Sequence, residues 1–93
     1  MTTVYLITQK GCVNCPAAKL VLSEALEGTC VSVKEVDLDE MDPDFEYRLL
    51  EAQVFIASTP TILVENGKGL TVLWSGRVPT VEQVREAVGV NGK

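Results

Sequence analysis

The apolar positions along the chain fall into short runs and periodic stripes, which predict strands alternating with helices. Residues 3–8 are largely β-branched, aliphatic or aromatic, so they predict a buried first strand. Residues 17–26 predict a helix with one apolar face, because apolar side chains recur at the i, i+3, i+4, i+7 spacing. That face consists of Ala18, Val21, Leu22 and Ala25, and is widened by Leu20 and Leu26.

Two further elements are predicted before the middle of the chain. Residues 31–38 predict a second strand, whose alternation slips by one before Val36, so we expect a bend or the end of the strand there. Asp42 followed by Pro43 is typical of the start of a helix, and a second helix is predicted over residues 43–52. Its inward-facing side chains are expected to be Phe45, Leu49 and Leu50.

The remaining pattern predicts a hairpin and a last helix. Two apolar runs, residues 62–64 and 70–74, are separated by a turn with Asn66-Gly67 at its centre. Thr80 is predicted to cap the last helix through a capping box. The apolar face of that helix is expected to consist of Val81, Val84, Ala87 and Val88. Phe55 and Trp74 are interpreted as core or sheet-face residues.

The predicted element order is β-α-β-α-β-β-α. A helix between the first two strands makes them parallel, with a right-handed crossover. The hairpin then completes an α/β fold with a four-stranded mixed sheet flanked by three helices. We expect one domain over residues 1–93.

Composition narrows the classes of function. The net charge of −5 disfavours a nucleic-acid partner or an anionic membrane surface. No apolar run approaches the about 20 residues of a membrane helix, and no positively charged signal region follows Met1, so a cytoplasmic protein is expected. The sequence has no histidine, which removes the usual imidazole base and the commonest zinc ligand.

Residues 35–46 contain seven acidic side chains and no basic one. The favoured interpretation is a solvated loop together with acidic residues at a helix start, where they interact well with the helix dipole. The alternative is a surface that selects basic partners.

The candidate chemistry lies where the first strand meets the first helix. Cys12 and Cys15 are two residues apart, with Gly11 suited to the turn and Pro16 to the first helical turn. A helix N-terminus favours the reactive thiolate form of a cysteine. In a cytoplasmic protein, such a pair is more often redox-active or metal-binding than structural. The third cysteine, Cys30, is interpreted as a small apolar residue or an incidental thiol.

Several motifs together resemble the thioredoxin fold in its short, glutaredoxin-sized form. They cover nearly the whole chain and consist of Cys12-Val13-Asn14-Cys15, Thr59-Pro60, Asn66-Gly67-Lys68 and Gly76. This resemblance to the thioredoxin/glutaredoxin superfamily implies a dithiol–disulfide oxidoreductase that needs no cofactor or metal.

The resemblance also implies the roles of individual residues. Cys12 is the expected nucleophile and Cys15 the resolving cysteine, and the two form a redox-active disulfide. Thr59 and Pro60, with Pro60 in the cis form, are expected to bind an extended substrate segment. Lys10, next to the pair in sequence, is expected to favour the thiolate and contact substrate.

The expected partners are protein disulfides and an electron donor, such as a thioredoxin reductase or a low-molecular-weight thiol. A monomer is expected, with no nucleic-acid or membrane partner.

The dipeptide Val13-Asn14 differs from the Gly-Pro of thioredoxins and the Pro-Tyr of glutaredoxins. Residues 76–80 lack the Gly-Gly-X-Asp-like stretch that binds glutathione in glutaredoxins, so the resemblance assigns no particular donor.

Three other functions fit part of the pattern. A Cys-X-X-Cys pair after the first strand also occurs in metal-delivery domains, although their element order, β-α-β-β-α-β, differs. Two glutaredoxin-like chains can share an iron–sulfur cluster through such cysteines. A binding module could also keep the fold without turnover.

Overall fold

The computed structural model describes residues 2–66 and 69–89, and a four-stranded sheet lies at its centre. The strands are β1 (Thr3–Thr8), β2 (Ser32–Asp37), β3 (Thr61–Asn66) and β4 (Gly69–Ser75). The helices are α1 (Cys15–Leu26), α2 (Pro43–Glu51) and α3 (Val81–Ala87), with a short 3₁₀ helix at Leu38–Glu40. The predicted turn residues Gly67 and Lys68 lie outside the described residues.

The sheet has the strand order β2-β1-β3-β4. β1 and β2 are parallel, while β3 is antiparallel to both β1 and β4. The predicted mixed α/β sheet with three helices is therefore confirmed. β2 pairs with β1 without a register shift from Ser32 to Asp37. The bend expected before Val36 is therefore absent, and the strand ends one residue after Val36.

One face of the sheet is covered by α1 and α3. Side chains alternate between the two faces of a strand, so Val4 and Leu6 of β1 point to this side. The buried cluster consists of Val4, Leu6, Ala18, Leu22, Ala25, Leu26, Ile62, Val64 and Val84. Trp74, interpreted as a core or sheet-face residue, is partly buried against it.

The opposite face is covered by α2. Its buried cluster consists of Tyr5, Ile7, Phe45, Leu49, Val54 and Leu63. The rings of Tyr5 and Phe45 lie 4.7 Å apart, centroid to centroid. The Tyr5 hydroxyl donates to Glu65 Oε1 at 3.0 Å, and Arg48 forms an ion pair with Glu65. This face thus combines an apolar layer with a small polar network.

The helix starts follow the sequence signals. The Asp42 carboxylate accepts the Asp44 N–H at 3.3 Å at the start of α2. The predicted capping box at α3 is present: Thr80 Oγ1 accepts the Gln83 N–H at 3.1 Å, and Gln83 Oε1 accepts the Thr80 N–H at 3.0 Å. Helix α1 begins at Cys15, two residues earlier than predicted.

Some predicted core positions are wrong. Leu20 is 61% exposed and Leu50 is 59% exposed. Leu20 stands two residues from both Ala18 and Leu22, a spacing that places it on another side of the helix. Ala87 is exposed, and Phe55, interpreted as a core or sheet-face residue, is 75% exposed.

Candidate active site

A tight turn connects β1 to the cysteine pair. The Cys12 N–H donates to the Gln9 carbonyl at 3.0 Å, which closes the turn. Gly11, at its third position, has φ +86°, a conformation that side-chain-bearing residues rarely adopt. The sequence Lys10-Gly11 therefore reverses the chain immediately after the strand and delivers Cys12 to the start of α1.

Cys12 and Cys15 are joined by a disulfide bond, with their Cα atoms 5.5 Å apart. Cys15 is the first residue of α1 and only 7% exposed, whereas Cys12 precedes the helix and is half-buried. Pro16 occupies the first helical turn, where its missing N–H leaves no bond unmade. The two sulfurs differ in access, and Cys12 is the one that a large molecule reaches more easily.

The start of α1 lacks a side-chain cap. Asn14 is the N-cap residue, but its side chain accepts no hydrogen bond from the first turn. The unpaired N–H groups and the positive end of the helix dipole therefore act on the cysteine pair without a competing side-chain acceptor. This environment favours the thiolate form of a reduced cysteine at that position.

An open groove of about 480 Å³ runs beside the disulfide. Both cysteines and the predicted residue Lys10 line it, together with residues that the sequence analysis did not assign to the site. These additional residues are Thr8, Gln9, Pro16, Lys19, Glu35 and Asp37.

The additional residues reach the groove for two structural reasons. Glu35 and Asp37 pair with Leu6 and Thr8 in the parallel register of β1 and β2, so they lie at the strand edge from which the cysteine turn leaves. Lys19 stands four residues after Cys15 in α1, which places both on one side of the helix. The parallel pairing predicted for the first two strands was the signal that could have identified the two acidic residues.

The charges of the groove are mixed. Lys19 Nζ lies 3.3 Å from Glu35 Oε1, and both side chains are largely solvent-exposed, so the ion pair adds little stability. Asp37 accepts the Asp39 N–H at 2.8 Å. Lys10 is exposed and forms no ion pair with any described residue. It is thus the cation beside Cys12 that remains accessible to a substrate.

The Thr59–Pro60 peptide bond is cis, the geometry that the resemblance implied. Thr61, the next residue, pairs with Ile7 of β1, so the proline loop lies at the same end of the sheet as the cysteine turn. Thr59 and Pro60 do not form part of the wall of the groove beside the disulfide. The structure therefore places Lys10, Cys12 and Cys15 around one groove, and the proline loop at the same sheet end.

Hydrogen bonds hold this loop on both sides of Thr59. The Pro60 carbonyl accepts the Gly76 N–H at 2.8 Å, and the Ser58 carbonyl accepts the Thr61 hydroxyl at 2.5 Å. The backbone of Thr59 itself forms no hydrogen bond with a described residue. Its N–H and carbonyl groups are therefore available to another chain.

The fold has close counterparts among solved structures. Thioredoxin-2, described as a component of malaria parasite protein secretion machinery, gives a TM-score of 0.69 at 18% identity, covering 98% of this chain and 84% of that one. Chloroplastic thioredoxin z gives 0.66 at 25% identity, covering 96% and 76%. The oxidised thioredoxin of Plasmodium falciparum gives 0.65 at 17% identity, covering 94% and 80%.

The chain has the thioredoxin fold. No protein-family profile and no curated protein matches its sequence. The likeness is therefore one of structure alone.

Outside the cysteine pair, the described residues include one further cysteine. Cys30 is an exposed free thiol, located before β2 and thus at the opposite end of the parallel strands from Cys12. Among residues 2–66 and 69–89, no three His, Cys, Asp or Glu side chains are grouped to hold a metal ion. No helix in that same part of the chain has the length and apolar character needed to span a membrane.

Proposed function

We propose that this protein is a dithiol–disulfide oxidoreductase that reduces disulfide bonds in other proteins. The observation that carries the proposal is the Cys12–Cys15 disulfide across the start of α1, with Cys12 accessible and Cys15 buried. A nucleophile must meet its substrate, whereas a resolving group needs to reach only its neighbour. The difference in exposure therefore supports attack by Cys12 and resolution by Cys15.

The first step begins with the reduced protein. The Cys12 thiolate attacks one sulfur of a substrate disulfide, and the other substrate sulfur leaves as a thiolate that takes up a proton. The product is a mixed disulfide between Cys12 and the substrate. The uncapped N-terminus of α1 favours the Cys12 thiolate, and the adjacent Lys10 ammonium adds positive charge in the same groove.

The second step releases the substrate. Cys15 loses its proton, attacks the Cys12 sulfur, and expels the remaining substrate sulfur as a thiolate. Two electrons have then passed to the substrate, and the protein is left in the disulfide form described above. An external reductant must return it to the dithiol, either a thioredoxin reductase or a low-molecular-weight thiol.

The Thr59–Pro60 loop is proposed to hold the substrate during exchange. The unpaired backbone N–H and carbonyl groups of Thr59 suit an extended substrate segment, which would pair with them as a short added strand. Such pairing would fix the substrate disulfide in line with Cys12, and in-line alignment is required for sulfur exchange.

The exposed free thiol of Cys30 is compatible with a reducing compartment. We therefore propose a cytoplasmic enzyme, acting as a single-domain monomer. Because the glutathione-binding stretch of glutaredoxins is missing at residues 76–80, a reductase-type donor is proposed ahead of glutathione.

Turnover of insulin disulfides, monitored by precipitation of the freed chain, tests the proposal. The Cys12→Ser variant should be inactive, and Cys15→Ser should accumulate a covalent mixed disulfide that is visible by mass spectrometry. Cys30→Ser is the matched control and should retain full activity. Full activity of Cys12→Ser would overturn the assignment of the nucleophile, and inactivity of the unsubstituted protein with every donor would overturn the proposed reaction.

A further inference from the structure

A second groove lies along α2, on the side of the molecule that the exchange chemistry leaves unused. This α2 groove has a volume of about 180 Å³ and opens to solvent. Its wall includes Leu38, Met41, Glu46, Leu50, Phe55 and Ile56. Leu50 and Phe55 are 59% and 75% exposed, so two large apolar side chains border the same depression.

The size of the α2 groove indicates the kind of occupant. Pockets for small molecules span roughly 300–1,000 Å³, and this groove is smaller and open. It suits the insertion of one or two apolar side chains from a protein surface, the usual anchors of an interface. Leu50 and Phe55 would be covered by that contact.

The segment that supplies the wall of the α2 groove is strongly acidic, and Glu46 itself lines the groove. Residues 37–56 contain seven acidic side chains and one basic side chain, whereas the rest of the chain contains six acidic and seven basic ones. The single basic residue, Arg48, is paired with Glu65. Asp39, Glu40, Asp44 and Glu46 form no ion pair with any described residue.

The acidic side chains and the apolar wall together exclude several classes of occupant. The acidic side chains repel a nucleic acid, an anionic membrane and a second copy of this chain, which would bring the same negative surface. They are not grouped to hold a metal ion in the described part of the chain. A positively charged protein segment is the occupant that fits both the charge and the apolar wall.

We propose that the α2 groove docks a basic, amphipathic segment of a partner protein. The segment inserts an apolar side chain beside Leu50 and Phe55 and places lysine or arginine side chains over the acidic residues. Asp37 begins the acidic surface and also lines the groove beside the disulfide. The next residue, Leu38, belongs to the wall of the α2 groove, so the two grooves are connected along the chain by neighbouring residues.

A fluorescein-labelled model peptide tests the proposal without involving sulfur exchange. The peptide has about 14 residues, near the shortest length at which a helix forms, and carries leucine at helical spacing with lysine at the other positions and no cysteine. Binding to the oxidised protein is measured by fluorescence anisotropy. We expect saturable binding that weakens at high salt, since exposed charges are screened. Because no thiol takes part, failure here leaves the proposed exchange reaction untouched.

Matched variants then locate the site. Leu50→Ser and Phe55→Ser should each weaken binding roughly tenfold, as the loss of an apolar anchor does, and Glu46→Lys should weaken it further through charge reversal. Leu20→Ser and Glu82→Lys are the controls. Leu20 is as exposed as Leu50 but lies on α1, and Glu82 is an exposed acidic residue of α3.

Four results of the binding assay would overturn the proposal. These are an absence of saturable binding, equal loss of affinity in the control variants, equal binding of a peptide with glutamate in place of lysine, and equal binding of one with serine in place of leucine. Sedimentation equilibrium tests whether a second copy of this chain occupies the α2 groove instead. A dimer that dissociates in Phe55→Ser would identify the occupant as a second copy and exclude the basic partner.

Discussion

The sheet face under α1 and α3 is closed by two helices, whereas the opposite face carries α2 alone. The two-helix face buries Leu6, Leu22 and Val84 almost completely. The α2 face buries Phe45 and Leu49 but leaves Phe55 exposed at the border of an open groove. One side of the fold is thus a scaffold for the cysteine pair at the start of α1, and the other retains apolar surface for contact with a partner.

The largest expected loss of stability comes from shortening a buried leucine, and it should differ between the two sheet faces. Leu22→Ala should lower the free energy of unfolding by about 4 kcal/mol, because the two-helix face cannot collapse into the cavity. Leu49→Ala should cost about 2–3 kcal/mol, since its surroundings adjoin the open α2 groove and can relax. Urea denaturation measures both, with Leu20→Ala as an exposed control expected to cost less than about 0.5 kcal/mol. A larger loss for Leu49→Ala would reverse the comparison.

Sequence periodicity predicted the architecture well because burial of α1 and the β1 core depends on local spacing. The i, i+3, i+4, i+7 stripe of α1 corresponds to buried Ala18, Leu22 and Ala25. Periodicity identifies the apolar side of a helix, but not whether another element covers all of it. Leu50 was therefore assigned inward, although no described element closes over the end of α2.

Some residues of the candidate site could be predicted from the sequence, and others could not. The positions of Cys12 and Cys15 could be predicted from a short motif, and the cis form of Pro60 was implied by the resemblance to the thioredoxin fold. Glu35 and Asp37 reach the disulfide groove only through the register between β1 and β2. That register is set by contacts between strands far apart in sequence. Local sequence patterns therefore led to the interpretation of both residues as part of a solvated acidic segment.

The second prediction concerns the turn that connects the two-helix face to the proline loop. Gly76 has φ +74°, and a β-carbon there would collide with the Ser58 hydroxyl. Gly76→Ala should therefore lower the free energy of unfolding by about 2 kcal/mol, the sum of backbone strain and steric contact.

Gly28→Ala is the matched control for the strain component. Its φ is +77°, but an added β-carbon meets nothing within 4 Å, so about 1 kcal/mol is expected. Ser58→Ala in the Gly76→Ala background should recover part of the difference. Equal costs at Gly76 and Gly28 would show that Ser58 moves aside freely.

A smaller effect is expected from the polar network of the α2 face. Tyr5→Phe removes the hydrogen bond to Glu65 but keeps the ring against Phe45. The loss should be about 1.5 kcal/mol, since the acceptor is a charged, partly buried carboxylate. Tyr47→Phe is the control, because Tyr47 is 61% exposed and donates no hydrogen bond to a described residue. If both variants unfold at the same urea concentration, apolar contacts alone stabilise this face.

The smallest expected loss of stability comes from removing the N-terminal caps of α3 and α2. Thr80 exchanges two hydrogen bonds with Gln83 at the start of α3, whereas Asp42 accepts one longer bond, 3.3 Å, at the start of α2. Thr80→Ala should cost about 1 kcal/mol and Asp42→Ala about 0.5 kcal/mol. Asp42 also stands among other carboxylates, so its removal relieves repulsion and offsets part of the lost cap. Raising the salt concentration screens that repulsion, so the cost of Asp42→Ala should rise towards that of Thr80→Ala. If the two stability costs differ by the same amount at every salt concentration, the difference arises from hydrogen-bond geometry alone.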